Sequence, residues 1–209
     1  VLRESRQDRE LSGPALSAIE RAVRSGRQVA ERLLVFARRR PLALTRVQLG
    51  AWLEAARPLL AQAAGPRVTL DLGSAPALPE ILCDASELDV ALVNLVINAR
   101  DAMAQSGRIE VRAYPCDEAS GAPQALVARP PRFVCLTVKD DGPGMTEQVR
   151  RRALEPFYTT KGEAGTGLGL SQVYGFMQQV GGQIVLDSAP GRGTAVHLYF
   201  PVASSAGQR

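Results

Sequence analysis

The feature that most limits what this chain can fold into is its glycine-rich stretch from Asp140 to Gly169, where two glycine clusters flank a short helical pattern. The first cluster, Asp140-Asp-Gly-Pro-Gly-Met145, follows a strand candidate at residues 133–139. The second, Gly165-Thr-Gly-Leu-Gly-Leu170, is led in by Glu155-Pro-Phe-Tyr-Thr-Thr-Lys161 and runs into a helical pattern over residues 168–180. Glycine admits backbone conformations and close approaches that a Cβ forbids. A helix that opens inside a glycine run aims unpaired N–H groups outward together, which suits an anion. A Pro-Gly turn and an ordinary loop are the plainer readings of each cluster taken alone. The spacing is neither that of a Walker phosphate loop nor that of a dinucleotide fingerprint after a strand.

Around that stretch, helix and strand patterns alternate irregularly. Helical patterns cover residues 49–64, a run starting at Asp84 or Ser86 and reaching about residue 105, and residues 148–154. Strand patterns cover residues 67–72, 108–114, 133–139, 183–187 and 194–201. Such an order favours an α+β fold, a two-layer sandwich of a mixed sheet with helices on one face, over the regular repeat of a barrel. Upstream, Ile19, Ala22, Gly26, Val29, Leu33 and Phe36 recur alternately three and four residues apart, ahead of Pro41. That narrow seam predicts a helix over residues 14–40 that pairs in a bundle or a dimer. The polar tail 204–209 reads as disordered.

Composition narrows the classes. The longest apolar runs fall short of the roughly 18 residues a membrane-spanning helix needs, so no membrane contact is expected from this stretch, and a cytoplasmic location is. Cys83, Cys116 and Cys135 lack the paired spacing of a zinc or redox motif and read as reduced core or loop residues. The positive charge is concentrated at one end: residues 1–46 hold eleven Arg against five acids, and the remainder is slightly acidic. Those arginines lie around a helix without interleaved aromatics, which argues against nucleic acid and for a solvated face or a dock for an acidic protein.

Further residues with a physical use sit outside the glycine stretch. Asn94 and Asn98 lie four apart on a helix, so their amides project from one face. Amide oxygens are hard ligands suited to Mg²⁺ that is already neutralised by phosphate. Asp140 at a strand end can accept the exocyclic amine of adenine while Gly142 and Gly144 let backbone approach the ring. Thr194, in Gly191-Arg-Gly-Thr194, can support that carboxylate through its hydroxyl, or can simply close a hairpin.

Taken together, Asn94-Leu-Val-Ile-Asn98-Ala-Arg-Asp-Ala-Met103, Asp140-Asp-Gly-Pro-Gly144, Glu155-Pro-Phe-Tyr158, Gly165-Thr-Gly-Leu-Gly169 and Gly191-Arg-Gly-Thr194 resemble, in order, the N, G1, F, G2 and G3 boxes of sensor histidine kinases. The resemblance covers residues 47–201. Leu33-Leu-Val-Phe-Ala-Arg-Arg-Arg-Pro-Leu42 also resembles the end of the second helix of that family's dimerisation domain.

The resemblance implies a Bergerat-type sandwich over residues 46–203, preceded by a partial helical dimerisation segment at residues 1–45. It implies ATP and Mg²⁺ as ligands, the metal held by Asn98 with Asn94, adenine selected by Asp140, and an ATP lid at residues 158–167. Nucleotide contacts are carried over to Asn94, Asn98, Arg100, Asp140, Gly142, Gly144, Tyr158, Lys161, Gly165, Thr166, Gly167, Leu168, Gly169 and Thr194; for Arg100 a plain surface charge is the alternative. It further implies a homodimer through the N-terminal helix and a response-regulator receiver domain as partner.

The sequence departs from the family pattern in one respect, because the phosphoacceptor histidine is absent. The sole histidine, His197, sits in the last strand pattern and reads as structural. With Val1 as first residue, truncation ahead of the acceptor is the expected reason. The stretch would then bind ATP without phosphorylating itself. ATPases sharing the sandwich use a Glu one turn before the metal-binding Asn, where this chain has Asn94, so a hydrolytic motor is disfavoured. A non-catalytic nucleotide-binding interaction module is the other alternative.

Overall fold

The computed structural model describes residues 42–116, 126, 132–162 and 165–203. The helix expected at residues 14–40 and the tail lie outside the described residues. The elements in chain order are β1 (Thr45–Val47), α1 (Leu49–Ala64), β2 (Val68–Ser74), β3 (Ile81–Cys83), α2 (Ala85–Ala102), β4 (Gly107–Pro115), β5 (Phe133–Asp140), α3 (Glu147–Arg152), α4 (Gly169–Gln179), β6 (Gln183–Ser188) and β7 (Thr194–Pro201).

Five strands form one mixed sheet in the order β2-β4-β5-β7-β6, parallel only between β2 and β4. β1 and β3 form a separate antiparallel pair, and Ile81 bridges to Val202 just past β7. Helices α1, α2 and α4 pack on one face of the large sheet. Period-two alternation along the strands sends Ile109, Val111 and Ala113 of β4, Val134, Leu136 and Val138 of β5, and Val196, Leu198 and Phe200 of β7 into the layer beneath the helices. Leu88, Leu92, Leu95, Val96 and Ala99 meet them from α2 at helical spacing.

Asp140 belongs to the same inward row of β5. The alternation that builds the core therefore also turns this carboxylate toward the helical layer.

The opposite face of the sheet carries a smaller cluster around Phe133, Cys135 and Tyr199. There His197 Nδ1 lies 2.8 Å from Thr137 Oγ1, and Tyr114 Oη lies 2.9 Å from the same hydroxyl. Burial lowers the His197 pKa from its ordinary value, only partly opposed by Asp187. Burial likewise pushes the Cys83 thiol up to about 12 and raises Cys135, so both are protonated.

The boundaries of α2 have identifiable causes. Asp84 caps its start, accepting from Ser86 N at 3.0 Å and Glu87 N at 3.3 Å, and also binds Ala43 N at 2.9 Å. At its other end Arg100 reaches across to α1, donating to the terminal carbonyl of Ala63 at 2.8 Å. Such carbonyls have no intrahelical partner, so the guanidinium supplies one. Among the described residues no helix is long and apolar enough to cross a membrane.

Candidate functional site

One end of the helical layer gathers the residues singled out by spacing. Helices α2 and α4 run antiparallel along each other. Asn94 Nδ2 donates to Gln172 Oε1 at 3.2 Å, which leaves the Asn94 amide oxygen available to a cation. One turn on, Asn98 abuts the first residue of α4: a Cβ on Gly169 would stand 3.1 Å from Asn98 Nδ2. The two amides thus lie beside the first turn of α4, with their Nδ2 groups toward it. The N-terminus of α4 has no side-chain cap, so its leading N–H groups are free of the usual local acceptor. Hard neutral ligands beside free N–H donors form a donor set suited to Mg²⁺ on a phosphate chain.

Asp140 is only 7% exposed at the end of β5. Its Oδ1 accepts from Gly142 N at 2.9 Å and from Thr194 N at 3.2 Å. Both bonds end on one oxygen, which leaves Oδ2 for a donor from outside the chain. Burial raises the Asp140 pKa above its ordinary value, the two N–H groups working against that shift.

The support expected from the Thr194 hydroxyl comes instead from its backbone, because the hydroxyl lies 2.9 Å from Ser188 Oγ. Ser188 also donates to Gly193 O at 2.9 Å and accepts from Met145 N at 2.9 Å. Gly191 N donates to Pro143 O at 2.7 Å. These bonds lock the loop after β5 onto the turn before β7.

Two glycines make that contact possible. A Cβ on Gly144 would strike the Ala189 carbonyl, and one on Gly193 would strike the Asp140 carbonyl; both residues have positive φ. Gly142 is close for another reason, since its Cβ would stand 2.8 Å from Asp140 Oδ1 and 3.2 Å from Met103 Cγ.

The connection from α3 to α4 is tied at several points. Phe157 N donates to Gly167 O at 2.8 Å, and both residues have positive φ. Gly165 N donates to Gly162 O at 3.2 Å, and Thr166 Oγ1 accepts from Leu168 N at 3.3 Å. Leu168 is buried and its carbonyl accepts from Ser171 Oγ at 2.9 Å. Tyr158 lies under Arg152, whose guanidinium carbon is 4.3 Å from the ring centroid.

Lys161 Nζ sits 2.9 Å from Asp101 Oδ2. Arg100, carried over from the family resemblance as a phosphate contact with a plain surface charge as the alternative, directs its guanidinium to Ala63 O and to Asp101 Oδ1, each at 2.8 Å. Burial would raise the Asp101 pKa, but the bonds from Lys161 and Arg100 prevail and hold it below the ordinary value. Asp101 and Gln172 are thus site neighbours that the spacing argument passed over. Asp101 could have been found by extending the helical row from Asn94 and Asn98 by three more residues.

Residues 83–204 match the family described as histidine kinase-, DNA gyrase B-, and HSP90-like ATPase. Over 192 residues, 91% of the chain, the sequence is 34% identical to sensor kinase CckA of Brucella abortus (strain 2308), covering 20% of that protein. Over 151 residues it is 35% identical to sporulation kinase E of Bacillus subtilis (strain 168), covering 72% of the chain and 19% of that protein. The chain therefore spans about a fifth of the length of these relatives. Among solved structures, full-length ShkA in complex with AMPPNP superposes with a TM-score of 0.62 at 25% identity, over 79% of this chain and 33% of that one. The mycobacterial sensor histidine kinase MprB gives 0.61 at 24% identity, over 77% of this chain and 98% of that one.

Proposed function

This chain belongs to the family of histidine kinase-, DNA gyrase B- and HSP90-like ATPases, and from that premise we propose that it donates the γ-phosphoryl group of ATP to a histidine carried outside this sequence. Its mixed sheet with helices on one face is the Bergerat-type sandwich of that family. The observation that carries the proposal is the convergence of three donor and acceptor sets on one end of the helical layer. Asp140, held through Oδ1, presents Oδ2 to the exocyclic amine of adenine. The amide oxygens of Asn98 and Asn94 would hold Mg²⁺. The free N–H groups at the start of α4 receive phosphate oxygens.

Phosphoryl transfer asks little covalent chemistry of the protein, and positioning with charge neutralisation carries the rate. Mg²⁺ at Asn98 and Asn94 would neutralise charge on the β- and γ-phosphates. Asp140 would hold the base at one end of the site and the start of α4 the phosphates at the other. Lys161, at the end of a tether rooted in Tyr158, supplies a further cation to the phosphates.

Asn94 favours a kinase over a hydrolytic motor. A neutral amide that donates to Gln172 cannot take a proton from water, so attack by solvent has no general base at that position. His197 is engaged by Thr137 on the far face of the sheet, away from the site, and does not serve as acceptor. The acceptor helix, a dimer through residues 14–40, and an acidic receiver domain as final recipient complete the proposed relay.

The test is incubation of the chain with Mg²⁺ and γ-labelled ATP, alone and with a separate helical domain bearing a histidine. Acid-labile label should appear on the added domain and not on this chain. Steady release of inorganic phosphate by the chain alone at motor-like rates would contradict the proposal.

A further inference from the structure

On α2, Asn94, Asn98 and Asp101 follow one another at four and three residues, so they form a single row along the helix. Three points of the segment that packs against α2 meet that row in reverse order: Gln172 at Asn94, Gly169 at Asn98 and Lys161 at Asp101. Lys161 is therefore held within a helical turn of Asn98, on a carboxylate.

The Asp101 carboxylate is a fixed object. Its Oδ1 is bound by the Arg100 guanidinium, which is anchored in turn on the Ala63 carbonyl. Lys161 is the adaptable partner, since a glycine with positive φ and open space around it, Gly162, follows it directly.

We propose that Asp101 is a positioning residue, a latch that holds Lys161 at the foot of the α2 row in the nucleotide-free chain and yields it to the phosphates when nucleotide binds. The inference rests on the nucleotide reading of the site. It is consistent with the exposure of the pair, 36% for the Lys161 side chain and 29% for Asp101. Ion pairs so open to solvent are weak and readily exchanged. A phosphate bound one turn away offers the ammonium a more highly charged acceptor, and Arg100 remains on Asp101 so that its carboxylate is not left bare.

The test is equilibrium binding of Mg²⁺·ATP to the whole chain and to Asp101→Asn, Asp101→Glu, Lys161→Met and the Asp101→Asn, Lys161→Met double variant, each checked for an unchanged melting transition. Asp101→Asn should bind about three- to fivefold more tightly, the scale of a weak ion pair, and Asp101→Glu should stay at the parent value. The gain should vanish in the Lys161→Met background. A gain that persists or grows there would mean plain charge repulsion between Asp101 and phosphate and would overturn the latch. Unchanged or weaker binding by Asp101→Asn would overturn it as well. If the parent chain itself fails to bind Mg²⁺·ATP, the nucleotide reading falls and the latch with it.

Discussion

Asn98 and Gly169 meet at the point where α2 passes the start of α4, and a Cβ on Gly169 would stand 3.1 Å from Asn98 Nδ2. That distance is tighter than ordinary van der Waals contact, so an alanine there must turn the asparagine amide. Gly169 does not have the positive φ that only glycine tolerates well. Gly169→Ala is therefore expected to leave the melting temperature near the parent value while weakening Mg²⁺-dependent nucleotide binding severalfold. Calorimetric titration alongside a thermal melt checks both halves.

Asp140 also separates stability from binding. Burial raises its pKa, so the folded chain holds this proton more tightly than the unfolded chain does, and above the raised value ionised Asp140 costs stability. Asp140→Asn keeps an oxygen for Gly142 N and Thr194 N and removes that cost. It should melt at or above the parent temperature yet lose about 1.5–3 kcal/mol of nucleotide affinity, the scale of a hydrogen bond to a charged group. For the parent chain, affinity should decline as pH falls through the raised value, at a higher pH than an ordinary carboxyl near 3.8 would set.

Gly193 and Gly191 offer a matched comparison, since both have positive φ within one turn. A Cβ on Gly193 collides with the Asp140 carbonyl, whereas one on Gly191 meets open space. Gly191→Ala should cost only the left-handed conformation, about 1–2 kcal/mol. Gly193→Ala should cost clearly more and weaken nucleotide binding with it, because Thr194 N must move away from Asp140. Urea unfolding midpoints distinguish the two.

His197→Phe removes one of the partners of Thr137 on the far face of the sheet and should cost about 1 kcal/mol while leaving nucleotide affinity unchanged. The folded-state pKa of His197 is depressed, so its share of stability is present above the unfolded value near 6.5 and is lost as pH falls through the depressed value. That part of the acid sensitivity should disappear in the variant, as pH-dependent melts would reveal.

Elements with strong periodicity were legible in advance: the expected helix at residues 49–64 and strand at 194–201 coincide with α1 and β7. β1 and β3 were not, because three residues are too short to display a period, and their pairing joins Thr45 to Cys83 across 38 positions. The parallel partnership of β2 with β4 was equally hidden, since alternation fixes a strand's faces and not its neighbour.

Within the candidate site, glycine and asparagine spacing singled out residues that the fold brings near one another, but the direction of side chains was not readable. Arg100 follows Asn98 by only two residues, and helical geometry turns it toward α1. Thr194 supports Asp140 through a backbone N–H, a group every non-proline residue possesses and no motif can single out.

The most direct test of the account is titration of the chain with ATP in the presence and absence of Mg²⁺, repeated with Asp140→Asn. The account predicts saturation at one nucleotide per chain, strengthened by Mg²⁺ and largely lost in the variant. No saturable binding, or binding that the variant leaves undiminished, would contradict it.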